Sequence, residues 1–455
     1  MIRATTGGVM RSYRKNLMSS FIASNKARDT VLTQRNFNSY AEAPADAARA
    51  FRLRMSRLTV NSQYKICEDT YYKYQGAFSC LDTVDKLIDT ENGGTQLQTL
   101  KSTTLKMLND PTGDARTQLG KVLDEMSETI IQNMNQKYGD TFIFAGADGY
   151  NVPFEVNTLE DGTKQLLYRG VPVDAAVPEV VMNVDGKTPM AIDPATGLVD
   201  PNGTTYVKTD TSSLIKREDF DNIVINDPTA TQPQILKLND GIGTPQRFNE
   251  KGEVDPNGDY YLNLEQAETM TKKDYDDACT DVEKLDYLVN KEKRFVDIGL
   301  GFQENEDGKL IESSGFNECL NGLTFLGYGL DEDGDPKNIY SIVQRLKEIT
   351  ESVPDGEDWS QATYDEFDAL VGKLEKASSD FKTEYANMDA GTLKLKNNLD
   401  ILEDNFYNLD TQTSNLEDAD MVESITSFIW AEYAYNAALK VGNSILSQSL
   451  MDYMT

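Results

Sequence analysis

The chain has 455 residues and not one histidine. That absence removes the side chain that titrates near neutral pH, the usual general base, the commonest zinc ligand and the partner of a serine or cysteine nucleophile. Cysteine is scarce: Cys67, Cys80, Cys279 and Cys319 form no Cys-x-x-Cys pair and no metal-binding spacing. Cys67 falls on an apolar helical stripe, so a buried thiol is expected there rather than a disulfide. No apolar run approaches the length of a membrane span, and membrane insertion is not expected. The first 25 residues carry positive charge but no continuous apolar segment, so a cleaved signal peptide is not expected either. Basic residues are outnumbered, 44 Lys and Arg against 75 Asp and Glu, giving a formal charge of −31. This balance disfavours nucleic acid and anionic membrane surfaces as partners. Carboxylate-only hydrolysis survives in principle, but among 75 acidic residues no pair stands out.

Two loops invite a ligand and fall short of one. Asp331-Glu332-Asp333-Gly334-Asp335 resembles part of a calcium loop but lacks the regular carboxylate spacing and the closing glutamate, so it reads as a solvated turn. Gly299, Gly301, Gly327 and Gly329 follow no phosphate-loop pattern. No catalytic residue, cofactor or metal is expected, and the chain does not read as an enzyme.

What the sequence has in abundance is helical seam. Tyr364, Phe367, Val371, Leu374, Ser378, Phe381, Tyr385, Met388, Thr392, Leu395, Leu399, Leu402, Phe406, Leu409, Thr413 and Leu416 recur at alternating spacings of three and four. This repeat keeps one edge of a helix facing a partner helix along its whole length, here about 80 Å. A second seam runs Val60, Tyr64, Cys67, Tyr71, Tyr74, Phe78, Leu81, Asp85, Ile88, with Gly93 and Gly94 beyond it. A third, weaker one is Met10, Tyr13, Leu17, Ser20, Ser24, Ala27, Val31. Its small residues allow close approach but bury little area, so this segment is expected to be marginal alone. The spacing of turn formers predicts a break over 36–44, a restart over 45–58 and a further helix over 112–138.

The texture then changes. Residues 141–146, 165–170 and 178–184 read as strands. Asp-Pro-Asn-Gly occurs at 200–203 and again at 255–258, where Asn-Gly is expected to supply the positive φ of a hairpin turn. Helix is expected again over 265–293, a hairpin over 295–313, and helix from Ile339 to Ser352. The fold class is therefore mainly α with a β-rich insertion, a long antiparallel helical-bundle or coiled-coil rod formed by both chain ends. Four segments are expected: terminal helices at 1–45 and 411–455, a helical rod at 46–150 and 336–410, an outer β-rich domain at 151–270, and a mixed return at 271–335. Charge follows the same division. Residues 1–60 hold 11 Lys and Arg against 3 acids, and residues 400–455 hold 1 against 10, so the two ends are suited to each other or to neighbouring copies.

Both ends also resemble a known family. Asp418-Ala419-Asp420-Met421, the run Glu432 to Gly442, Ile445-Leu446 and Ser449 to Met454 look like the end of flagellins and their junction relatives. Ala41 to Arg54 resembles the segment where those proteins read Ser-Asp-Asp-Pro and then an Ala-Arg-rich helix start. Gln34-Arg35 and Glu42-Ala43 depart from the family pattern, which usually has Gly-Lys and Asp-Asp there. The run Phe142 to Gly146, Pro153-Phe154 and Val296 to Gly301 are closer to the hook–filament junction branch than to filament flagellin.

The resemblance implies a structural subunit joining hook to filament, exported by the flagellar type III apparatus and located outside the cell. Its implied partners are a ring of like subunits, a hook-associated protein on the hook side, flagellin or a second junction protein on the filament side, and an export chaperone. The candidate assembly interface is Met10, Leu17, Val31, Leu395, Leu399, Leu402, Phe406, Leu409, Leu416, Ile425, Tyr435, Leu439, Ile445, Leu446 and Leu450. Residues 1–40 and 415–455 are expected to be loosely packed in the free monomer. The alternatives are a filament flagellin and, in a different class, a secreted coiled-coil adhesin or effector.

Overall fold

A computed structural model describes residues 6–88, 114–159, 162–183, 186–209, 211–226, 233–353 and 359–454. Nine helices are present among them: α1 (Thr6–Thr33), α2 (Pro44–Ile88), α3 (Asp114–Met134), α4 (Arg217–Asn226), α5 (Lys272–Asp286), α6 (Gly322–Leu326), α7 (Ile339–Ser352), α8 (Gln361–Glu417) and α9 (Met421–Met454). The chain divides into two units. Unit 1 holds residues 1–72, 296–316 and 392–455; unit 2 holds 73–295 and 317–391.

The long seams fold as continuous helices. Proline opens α2, where its missing N–H is no loss, and the two stretches expected over 45–88 form one helix of 45 residues. Every member of the ladder from Tyr364 to Leu416 is buried or half-buried along the 57 residues of α8. In unit 1, α2 and α8 run antiparallel: Cys67 lies against the Leu395 carbonyl, and Arg57 pairs with Asp410. Burial lifts the Cys67 thiol to about 11, and all four cysteines are free. Residues 296–316 add a small hairpin in which Glu304 bridges Leu310. Asp297 holds the amides of Gly299 and Gly301 at 2.9 and 3.2 Å, so these two glycines shape a turn.

In unit 2 the remaining stretch of α2 meets α8 again, with Phe78 stacked on Tyr385 and Ser378 donating to the Ile88 carbonyl at 2.8 Å. Helices α3 and α7 pack as a pair, burying Leu119, Leu123, Met126 and Ile130 against Ile342, Val343, Leu346 and Ile349. Asn338 caps α7 by accepting from the Tyr340 and Ser341 amides. Gly93 and Gly94 lie outside the described residues.

The strands are short. β1 (Lys137–Tyr138) pairs with β2 (Thr141–Phe142), and β3 (Phe154–Thr158), β4 (Lys164–Tyr168) and β5 (Val171–Pro172) form a meander. The strand expected over 141–146 stops at Phe142. Ile143 and Phe144 are buried in a turn instead, Ala145 forms an isolated antiparallel bridge with Asn321, and Tyr168 donates to the Phe144 carbonyl at 3.0 Å. A four-stranded sheet follows, in the order β11 (Thr269–Thr271), β8 (Thr205–Val207), β6 (Ala191–Asp193), β7 (Leu198–Val199). Beside it β9 (Leu214–Lys216) pairs with β10 (Tyr260–Leu262). The segment expected as a strand over 178–184 contributes bridges at Val180 and Met182, while Val184 lies outside the described residues. The core here is Val181, Met190, Ile192, Val207, Leu236, Phe248 and Leu262.

Both Asp-Pro-Asn-Gly motifs make turns, since the Gly203 and Gly258 amides donate to Asp200 and Asp255 at 2.9 Å. The reason for glycine differs from the sequence expectation, because neither residue has positive φ. A Cβ on Gly203 would lie 2.8 Å from the Ile192 carbonyl oxygen, and one on Gly258 would collide with the Phe248 carbonyl. Space, not conformational freedom, requires glycine there.

Candidate assembly interface

Helices α1 and α9 pair antiparallel, with Tyr13 over Gly442, Phe21 5.6 Å from Tyr435 and Gln34 hydrogen-bonded to Ala419. The third seam forms one side of this pair: Met10, Tyr13, Leu17, Ser20, Ser24, Ala27 and Val31 are all half-buried. Opposite them α9 presents Met421, Ser424, Phe428, Ala431, Tyr435, Ala438 and Gly442 at the same three-four spacing. Small residues bring the backbones close, and a Cβ on Gly442 would collide with the Tyr13 ring. Among the described side chains of these two helices, only Ser424 and Gly442 are buried. The pair has a seam but no apolar core of its own.

Large apolar side chains are also exposed on the outward faces, densely on α9 and among basic residues on α1. On α9, Val422 is 77% exposed, Ile429 59%, Trp430 68% and Tyr433 70%. On α1, Met18, Ile22 and Leu32 face outward. A helix that exposes several large apolar side chains besides its seam suits neighbours on more than one side. Among the described residues no ion pair joins α1 to α9, so the opposite charges of the chain ends do not meet there. They meet further along, where Arg54 and Arg57 on α2 pair with Glu417 and Asp410 on α8.

The structure sorts the candidate residues by depth. Leu395 and Leu402 are buried, and Leu399, Phe406, Leu409 and Leu416 are half-buried, on the seam of α8 that this chain itself covers. Met10, Leu17, Val31 and Tyr435 face each other across α1 and α9. Ile425 and Leu439 point outward. The side chains of Ile445, Leu446 and Leu450 lie outside the described residues. Sequence reasoning passed over Val422, Ile429, Trp430, Tyr433, Met18 and Ile22, because it followed one stripe per helix. For the four on α9 the signal was the scatter of its few polar residues over 421–441, which leaves no continuous polar face.

Solved structures similar to this chain include three flagellar proteins. A protein assigned as a flagellar hook-associated protein from Vibrio parahaemolyticus shares 10% identity and has a TM-score of 0.39, over 83% of this chain and 100% of the other. Flagellar hook-associated protein-3 from Legionella pneumophila shares 13%, with a TM-score of 0.32 over 79% and 98%. FlgL from Xanthomonas campestris shares 11%, with a TM-score of 0.33 over 80% and 99%. No protein-family model and no curated protein matches the chain.

The rest of the described surface offers little chemistry. A cleft of about 810 Å³ in unit 2 is lined by Arg169, Lys284, Tyr287 and Lys291 among others. Its cations are already paired: Arg169 with Glu292 at 2.8 Å, and Lys284 and Lys291 with Asp281 and Asp286 at 2.9 Å. The Asp331 turn is likewise satisfied from within. Lys373 on α8 places its ammonium 2.7 Å from Asp331 and 3.0 Å from Asp333, with Asp335 also in contact. Burial opposes that charge, but the three carboxylates outweigh it and raise the lysine pKa. Among the described residues no group of acids and cysteines is arranged to hold a metal, and no helix is long and apolar enough to cross a membrane.

Proposed function

We propose that this chain is a structural subunit of the bacterial flagellum, placed between hook and filament and assembling through α1 and α9. The observation that carries this reading is the terminal pair itself, which exposes large apolar side chains on its outward faces and has no buried apolar side chain of its own among those described. Helices of this kind lose more in ordering entropy than their mutual seam returns, unless neighbouring copies cover the remaining faces. The C-terminal stretch that resembles the flagellin family lies on α9, and the N-terminal one, Ala41 to Arg54, leads from the α1–α2 joint into α2. The junction branch is favoured over filament flagellin by the run Phe142 to Gly146 and by Val296 to Gly301.

In this account residues 1–45 and 411–455 form the assembly layer. Residues 46–150 and 336–410 form the next layer, 151–270 face outward, and 271–335 return the chain to the helices. The subunit leaves through the flagellar type III apparatus, which suits a chain whose four thiols are free. Its partners are like subunits, a hook-associated protein towards the hook, flagellin or a second junction protein towards the filament, and an export chaperone.

The test is a clean deletion strain examined by electron microscopy, with flagellin assayed in the medium. Bare hooks together with released, unpolymerised flagellin are expected. Bare hooks with no released flagellin make the chain the filament subunit. Normal filaments overturn the flagellar reading and favour a secreted adhesin or effector.

A further inference from the structure

The two helix breaks of unit 1 lie side by side. Helix α1 stops where Gln34 turns left-handed at φ 57°, a conformation that a residue with a Cβ resists. That backbone places the Gln34 carbonyl to accept the Ala419 amide at 3.0 Å, while the Asn36 amide donates to the Glu417 carbonyl at 2.8 Å. Arg35 and Asp418 thus form one antiparallel bridge between the α1–α2 joint and the α8–α9 joint. The Asn36 side-chain amide adds bonds to the carbonyls of Leu416 and Asp418, at 3.1 and 3.0 Å. Just beyond, Asp420 accepts the Val422 and Glu423 amides and starts α9.

At the centre is Glu417, only 7% exposed. One of its carboxylate oxygens accepts from the Arg54 guanidinium, and Arg35 stands 4.0 Å from the same oxygen. The other oxygen is buried without a hydrogen-bond partner. A buried carboxylate held mainly by one guanidinium depends strongly on that partner, because losing it leaves the charge uncompensated. The α1–α9 pair meanwhile has no apolar core to fix its register. The joint is the place where the two helices are tied by directional bonds.

We propose that Glu417, held by Arg54 and within reach of Arg35, is a latch that locks the two joints together so that α1 and α9 move as one body. With the latch closed, a neighbouring copy meets both helices in a fixed register. With it open, each helix swings from its own joint. The latch rests on the assembly reading for its purpose and on the geometry of the joint for its existence.

The test uses the full-length monomer with spin labels at Asp29 and Thr426, near the joint on α1 and α9. In the unaltered chain the distance distribution is narrow. In Glu417→Gln it broadens at least about twofold, and the Asn36 and Ala419 amides exchange about tenfold faster or more, the loss expected for a charge-assisted bond. The swap Glu417→Arg with Arg54→Glu restores both readouts in part, which separates a latch from a site that merely tolerates no change. A narrow distribution and unchanged exchange in Glu417→Gln overturn the proposal, as does a swap no better than the single variant. Neither readout involves assembly, so failure here leaves the flagellar reading standing, and a deletion strain with normal filaments leaves the latch standing.

Discussion

Asp174 follows β5 and accepts from the Ser341 hydroxyl at 2.6 Å, while its second oxygen is buried without a hydrogen-bond partner. Burial pushes its carboxyl up to about 6, with the Ser341 bond opposing. A carboxyl whose folded pKa exceeds its unfolded value favours the folded state most below the unfolded pKa, near 4. That contribution is lost as pH rises through about 6. Between pH 4 and pH 7.5 the wild-type chain is therefore expected to lose up to about 3 kcal/mol from this residue alone. Asp174→Asn should remove the dependence and be the more stable protein at pH 7.5, as read by urea denaturation at both pH values. An unchanged pH profile in the variant contradicts the assignment. Nothing in the local sequence Val173-Asp174-Ala175 announces this residue, since its burial is set by α7, more than 160 residues away.

At the scale of single elements, period was legible and contact was not. The seams of α2 and α8 could be read from spacing because a 3.5-residue repeat has one geometric solution, and α7 spans the expected Ile339–Ser352, with the Asn338 cap seen only in the structure. The short strands were less legible. Strand 141–146 is cut short because non-local bonds hold its second half, Tyr168 donating to the Phe144 carbonyl and Ala145 bridging Asn321. The Asp-Pro-Asn-Gly turns were found for the wrong reason, and the correction is testable. Gly258→Ala should destabilise the β-rich part by about 2 kcal/mol or more, because the obstacle is the Phe248 backbone and not a movable side chain. A melting temperature unchanged by this substitution contradicts the close approach.

The Asp331 turn shows the same limit of local reading, since its partner lies on another element. Glu250, Glu306 and Glu332 each occupy the second position of a five-residue turn, at 249–253, 305–309 and 331–335. In each turn the first residue donates its amide to the fifth residue's carbonyl, at 3.0, 2.8 and 2.8 Å. The fourth is a glycine with φ near +80°. Only at 331–335 does a lysine from α8 enter the group. Lys373→Met leaves three carboxylates facing one another, so it should lower stability more at low salt than at 1 M salt. An equal loss at both salt levels would mean that packing of the lysine stem, not charge, holds the turn.

For the whole molecule, the central contrast is between side chains buried by this chain and side chains left for others. Leu402 on α8 is buried within unit 1, and Leu402→Ala should cost about 2–5 kcal/mol of monomer stability. Ile429→Ser and Trp430→Ser remove exposed groups from α9. They should leave monomer stability within about 0.5 kcal/mol and yet abolish filament attachment in cells. Loss of monomer stability in the α9 variants would place those residues in the chain's own core. The charged ends answer in part the question their composition raised. Arg54 and Arg57 find their acids within the same chain, while Arg11, Arg14 and Lys15 lie exposed on α1.

The most direct test is amide hydrogen exchange on the free full-length monomer and on the assembled state. In the monomer, α1 and α9 should exchange at least about 100-fold faster than α7, with protection falling away from the joint at Gln34 and Ala419 towards Gly7 and Ser444. In the assembly both helices should become protected along their length. Protection of α1 and α9 equal to that of α7 in the free monomer would contradict the account, because the pair would then be a finished structure with no need of neighbours.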